Sequence, residues 1–251
     1  MRIIASRLAL LGARTPLERG LGSADALRQS LPGNRELTRS ARERMTPSGG
    51  DRAPACTFYF DVGSPYAYLA AERLARVLGE QPRWQPLSLG ALFKLTGGGS
   101  WALAGAESRS AGIAEIERRA RDYGLPPLRW PQPWPGNYLM AMLAATFAAG
   151  AGRGPEFALQ ALRDAFQHGH DLSIPERVLD TAEQAGLERN EVEAATQDTA
   201  IKQALRAATD AAYELGVIGV PTVAIDGELF WGDDRLEDAA AYLAGASRAL
   251  D

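Results

Sequence analysis

Cysteine is almost missing from this chain: of 251 residues only Cys56 is one. No intramolecular disulfide can form, and a dithiol redox pair or a cysteine-rich metal site is excluded. Histidine is nearly as scarce, with His168 and His170 alone, which leaves little room for a metal centre. No apolar run approaches the roughly 20 residues of a membrane span. An excess of positive charge is lacking too. The net charge is −4, so neither nucleic acid nor an anionic membrane is an expected partner. The balance is uneven, however: residues 1–54 hold ten arginines against five acidic residues, net +5, which leaves −9 for the remainder.

What is present divides at about residue 54. Residues 1–54 are rich in Arg, Ser, Gly and Pro, and "TPSGGDRAPA" reads as a linker. The opening "MRIIASRLALLGAR" has a short apolar patch broken by Arg7 and no clear cleavage site. The segment reads as a disordered extension or an over-extended start, with Met45 as an alternative start, on a cytoplasmic protein.

Order is expected from "ACTFYFDV" (55–62), a buried strand by its aromatic and β-branched content. "SPYAYLAAERLARVLG" follows as a helix, with Ser64 as N-cap, Pro65 at the first helical position and Gly79 as the stop. "RWQPLSL" is a second strand. This β-α-β order predicts a parallel pair. From about Phe93 to Ala212 the chain is Ala-rich and helical, with room for four or five helices and a break near Thr196–Asp198. Strand character returns in "PTVAID" and "ELFWG" around Asp226-Gly227, a hairpin signal. A last helix, "DDRLEDAAAYLAGA", carries acidic residues in its first turn. The fold class is therefore α/β. A thioredoxin-like core (β-α-β … β-β-α) is built from 55–92 and 213–251, with 93–212 as an inserted helical domain in the DsbA-like manner.

In thioredoxin folds the first helix opens with C-x-x-C, where unpaired N–H groups favour a thiolate. Here the corresponding residues are Ser64-Pro65-Tyr66-Ala67. The chain cannot exchange disulfides by itself. A serine hydroxyl at that place can still donate to the thiolate of a bound molecule, or it can serve only as a helix cap. Val220-Pro221, before a strand, is the expected cis-proline facing that helix tip, leaving the Val220 backbone open to a peptide ligand. Gly232, Asp233 and Asp234 open the last helix. Backbone N–H groups there can take a carboxylate and Asp234 an ammonium, or Asp is a plain N-cap.

"FYFDVGSPYAYLA", "PLSLGALFKLTG" and "GVIGVPTVAIDGELFWGDDRLEDAAAYL" together resemble the 2-hydroxychromene-2-carboxylate isomerases. These are bacterial relatives of kappa-class glutathione transferases within the DsbA-like thioredoxin superfamily. The resemblance runs from about Thr57 to Leu243. It implies glutathione as cofactor, with Ser64 as the catalytic residue that assists its thiolate. Val220 and Pro221 match the pair that aligns its backbone, and Gly232, Asp233 and Asp234 fall where its γ-glutamyl end is bound. It implies isomerisation of an aromatic unsaturated pyruvate by thiolate addition and elimination, and a homodimer.

Tyr66, Lys94, Trp130, Trp134 and Asn137 are candidates for contacting that small aromatic substrate, with Tyr138 beside them. Lys94 suits a substrate carboxylate or a solvated helix face; the tryptophans suit a pocket wall or core packing. The chain departs from the family after "GALFKLTG": where the family commonly has Asn, then Lys or Arg, then Pro, it has Gly98-Gly99-Ser100-Trp101. Two other activities share the same signals: a kappa-like transferase or peroxidase, and a thioredoxin-fold binding module without catalysis. His168 and His170 read as cap or surface residues, and Cys56 as buried and inert.

Overall fold

Strict alternation builds the first strand. In β1 (Cys56–Phe60), Cys56, Phe58 and Phe60 are buried and Thr57 and Tyr59 half-buried, so each face of the sheet receives alternate side chains. The computed structural model describes residues 56–79 and 81–248; the expectations for 1–54 lie outside them. Strand β2 (Arg83–Pro86) pairs parallel to β1, while β3 (Thr222–Ile225) pairs antiparallel to β1 and to β4 (Glu228–Trp231). The sheet order is β2-β1-β3-β4. The turn between β3 and β4 is the expected Asp226-Gly227, with φ of 49° and 87°. Both lie in the left-handed region that a two-residue hairpin demands.

The single helix expected after β1 is two helices, α1 (Pro65–Ala71) and α2 (Leu74–Leu78), the second ending on Gly79 with φ of 73°. At the break two charged side chains find distant partners. Glu72 takes a two-pronged ion pair from Arg163 at 2.6 and 2.9 Å. Arg73, 3% exposed, donates to the Asp233 carbonyl at 3.1 Å and pairs with Glu237. A helix α3 (Leu89–Thr96) follows β2, capped by Ser88. After a 3₁₀ turn at Trp101–Leu103 come α4 (Ala106–Asp122), α5 (Leu139–Gly150), α6 (Gly154–Phe166), α7 (Pro175–Gln184), α8 (Arg189–Gln197) and α9 (Thr199–Leu215).

These six helices exceed the four or five expected. The junctions are too short to read as loops: Gly152 and Gly186 turn the chain at φ of 72° and 79°, and Asp198 ends α8 while capping α9. The helix α10 (Leu236–Arg248) closes the chain. One face of the sheet, through Phe58, Phe60 and Trp84, joins the large core that includes Tyr68, Met142 and Phe166. The other meets Leu87, Leu92, Ala212, Val217 and Val220. The β-α-β … β-β-α plan with helices inserted in its middle is the architecture observed.

Candidate functional site

The strand-to-helix junction is shaped by Asp61. Its Oδ1 accepts the Gly63 N–H at 2.8 Å, its Oδ2 the Leu89 N–H at 2.8 Å, and its carbonyl the Ser64 N–H at 3.0 Å. Burial pushes its carboxyl above the ordinary range, against the lowering pull of those backbone donors. Gly63 has no room for a side chain: a Cβ would lie 2.4 Å from the Tyr138 ring. Asp61 escaped the sequence reading, although an Asp two residues before a glycine-serine turn is itself a turn signal.

Ser64 is 4% exposed. Its Oγ accepts the Ala67 N–H at 3.2 Å, the expected N-cap bond. Its own proton faces the Val220 carbonyl at 3.5 Å, the outer limit of a hydrogen bond, so that proton is weakly committed. The Val220-Pro221 bond is cis, and Pro221 faces the helix tip as expected. Because α1 has only seven residues, its dipole is short.

Ser64, Val220, Pro221, Gly232, Asp233 and Asp234 meet at one cavity of about 580 Å³, within the size range of small-molecule sites. Tyr66, Trp134 and Asn137 line it as well. Lys94 and Trp130 are corrections. Leu89 and Phe93 face the cavity from α3; helical spacing turns Lys94 away from that face, onto an exposed one. Trp130 stands behind the wall, its ring 4.7 Å from Trp134 and its Nε1 donating to Glu117 at 2.9 Å. The segment from Trp130 to Asn137 holds two further cis bonds, at Pro133 and Pro135.

The glycine-rich departure from the family is filled by an aromatic. Trp101 lines the cavity and lies 5.4 Å from Trp134 and 6.3 Å from Tyr66. It packs so closely on Gly112 that a Cβ there would be 2.1 Å from the ring. Among the described residues the Tyr138 hydroxyl, buried at the same wall, has no acceptor for its proton, the Gly136 backbone being its near polar neighbour. Tyr66 has its phenol pushed up to about 12, chiefly by burial, and so stays a donor at neutral pH.

The two aspartates are unlike. Asp233 is 1% exposed, and its oxygens are engaged by Arg119 at 3.0 Å and the Tyr123 hydroxyl at 2.9 Å. Burial raises its pKa, with Arg119 and Tyr123 opposing. It is a buried anchor rather than the open ligand group expected. Asp234, 40% exposed in its side chain, lies 3.5 Å from Arg119 and faces the cavity. Both sit in a 3₁₀ turn, Asp233–Arg235, ahead of α10. Arg119 was not foreseen. Its sequence signal is an i,i+4 pair with Glu115 on α4, which any solvated helix face also shows.

The DsbA-like thioredoxin domain matches residues 55–244. The chain belongs to that family. Two curated relatives carry the name 2-hydroxychromene-2-carboxylate isomerase. One, from Sphingobium xenophagum, is 28% identical over 197 residues, covering 74% of this chain and 96% of the relative. The other, from Pseudomonas putida, is 28% identical over 193 residues, covering 71% and 89%. A solved 2-hydroxychromene-2-carboxylate isomerase superposes with a TM-score of 0.67 at 25% identity, covering 78% of this chain and 98% of that structure. The tip of α1 presents Ser64 and Ala67 and carries no cysteine.

Proposed function

We propose that this protein is a glutathione-dependent isomerase acting on an aromatic unsaturated pyruvate or hydroxychromene-carboxylate. The observation that supports it most is Ser64, a buried hydroxyl 3.5 Å from the Val220 carbonyl at the mouth of an aromatic cavity. A thioredoxin-like site of this kind, with no cysteine of its own, is suited to a thiol brought from outside. The similarity to two named isomerases points the same way.

The residues present fit the tripeptide. Ser64 has a proton to give to a sulfur anion, and such a bond favours the ionised thiol. The Val220 backbone suits a peptide laid alongside it as an added strand. Asp234 suits the ammonium of the γ-glutamyl end, while Asp233, Arg119 and Tyr123 hold that turn in place. When bound, glutathione supplies a nucleophilic sulfur that adds reversibly to a conjugated carbon system and is recovered.

Trp101, Trp134 and Tyr66 offer ring faces and edges to a flat substrate, and exclude water around it. The Tyr138 hydroxyl, with no acceptor for its proton among the described residues, is a donor for a substrate oxygen. Among the described lining residues Arg119 is the one cation. Its surrounding carboxylates Glu115, Asp233 and Asp234 temper its pull on a substrate carboxylate.

The test is isomerisation of 2-hydroxychromene-2-carboxylate with glutathione far below the substrate concentration. Many turnovers with total thiol unchanged are expected. Thiol falling in step with substrate reads out a transferase instead. No rate and no glutathione binding by calorimetry overturns the reading.

A further inference from the structure

Away from the cavity, one buried carboxylate faces the two histidines of the chain. Helix α6 ends at Phe166, and the chain doubles back through Gly169, whose φ of 73° glycine adopts without steric cost. His168 and His170 flank that turn. Asp164 Oδ1 lies 3.2 Å from His168 Nδ1 and 3.9 Å from His170 Nδ1, and the two rings are 5.6 Å apart. One donor atom from each of the three residues lies within 4.8 Å of the others.

The carboxylate is held for such a task. The Asp164 side chain is 3% exposed. Its Oδ2 accepts the Thr181 hydroxyl at 2.6 Å, and Gln160 donates to Oδ1 at 3.1 Å. Among the described residues its only ion-pair partners are the two histidines. Buried carboxylates are found paired or holding a metal ion. The histidine side chains are 50% and 35% exposed, so the site is open to solvent on their side. Ligand atoms around a tetrahedral zinc sit about 2.0–2.2 Å from it, hence roughly 3.4 Å from one another, a spacing that falls between the 3.2 and 3.9 Å separations here.

We propose that Asp164, His168 and His170 form a binding site for a divalent transition-metal ion of the zinc type, with the remaining coordination position open to solvent. Imidazole and carboxylate donors suit that class of ion. Thr181 and Gln160 orient the carboxylate, as outer partners of metal ligands do. The site clips the end of α6 to the loop that follows it. It is separate from the Ser64 cavity and does not depend on the reading of that cavity.

The experiment is calorimetric titration of the full-length, untagged, chelator-stripped protein with zinc chloride. Residues 1–54 hold neither His nor Cys, so they offer no competing imidazole or thiolate. One saturable site is expected, with affinity reduced at least about tenfold in His168→Ala and in His170→Ala, and by about tenfold in Thr181→Val. Zinc should also raise the Tm of the natural protein by mass action and raise that of both histidine variants by less at the same zinc concentration. His168 is exposed and His170 half-buried, so neither substitution cuts into the core, and a far-ultraviolet circular dichroism spectrum matching the parent checks that each variant is folded. No saturable binding, or binding unchanged in the histidine variants, overturns the site.

Discussion

At the scale of single residues, Ser64 has two roles that one substitution separates. As N-cap it accepts the Ala67 N–H, which Ala forfeits at a cost of about 1 kcal/mol, or roughly 2–4 °C in Tm. As hydroxyl donor it faces the cavity, and loss of a donor aimed at developing charge costs on the order of 100-fold in turnover. Ser64→Ala is therefore expected to fold, to bind glutathione nearly as well as the parent, and to lose about 100-fold in kcat. Thermal melting, calorimetry and steady-state kinetics measure the three separately. Turnover equal to the parent would leave the serine as a cap alone. Asp61 stands behind this residue. Its two oxygens take two backbone donors, so the turn that presents Ser64 is held from beneath.

At the scale of elements, the 3₁₀ turn at Trp101–Leu103 and helix α4 shape the aromatic wall together. Gly112 in α4 leaves the gap into which Trp101 fits. Gly112→Ala gains about 1 kcal/mol of helix propensity, but overpacking against a rigid ring costs about 1–3 kcal/mol. The net expectation is a loss of up to about 2 kcal/mol. Trp101 must be displaced from its seat between Tyr66 and Trp134. On the proposed function, the KM for the aromatic substrate should rise several-fold while kcat changes little. Steady-state kinetics with a denaturant melt decides it; an unchanged KM would mean that Trp101 only packs.

At the scale of the whole molecule, one buried network ties the inserted helices to the core. Arg119 from α4 grips Asp233 beside the sheet. Tyr123, from the end of the same helix, holds the other oxygen. Arg73, between α1 and α2, lies over the Tyr123 ring at 3.6 Å and donates to the Asp233 carbonyl. Removing one partner leaves a buried charge uncompensated, so Arg119→Gln should cost about 3 kcal/mol. The pH dependence has a definite sign. Asp233 has its folded pKa above the usual 3.8, mainly through burial, and Arg119 opposes that rise. Without Arg119 the pKa climbs further. The penalty of the variant is then full at neutral pH and shrinks as pH falls through the raised pKa and the carboxyl takes up a proton. Denaturant melts of parent and variant from pH 7 towards 4 should converge; a constant gap would refute this account of the pair.

The amino-acid sequence by itself determined whatever depends on neighbours along the chain. Alternation made β1, Asp226-Gly227 made the hairpin, Ser64-Pro65 began α1, and Asp198 parted α8 from α9. The same local signals located Ser64, Val220 and Asp234, because strand ends and helix starts are set by cap and turn chemistry within a few residues. The tertiary structure decided what depends on distant partners. It broke the first helix at Glu72 and Arg73, whose partners are Arg163 and Glu237. It walled in Asp233 with Arg119, more than a hundred positions away, and turned Lys94 out of the cavity while bringing Trp101 into it. Charge pairing and packing act through space. Until the chain has closed on itself, no spacing within it tells a buried ion pair from a solvated one, or a pocket wall from core.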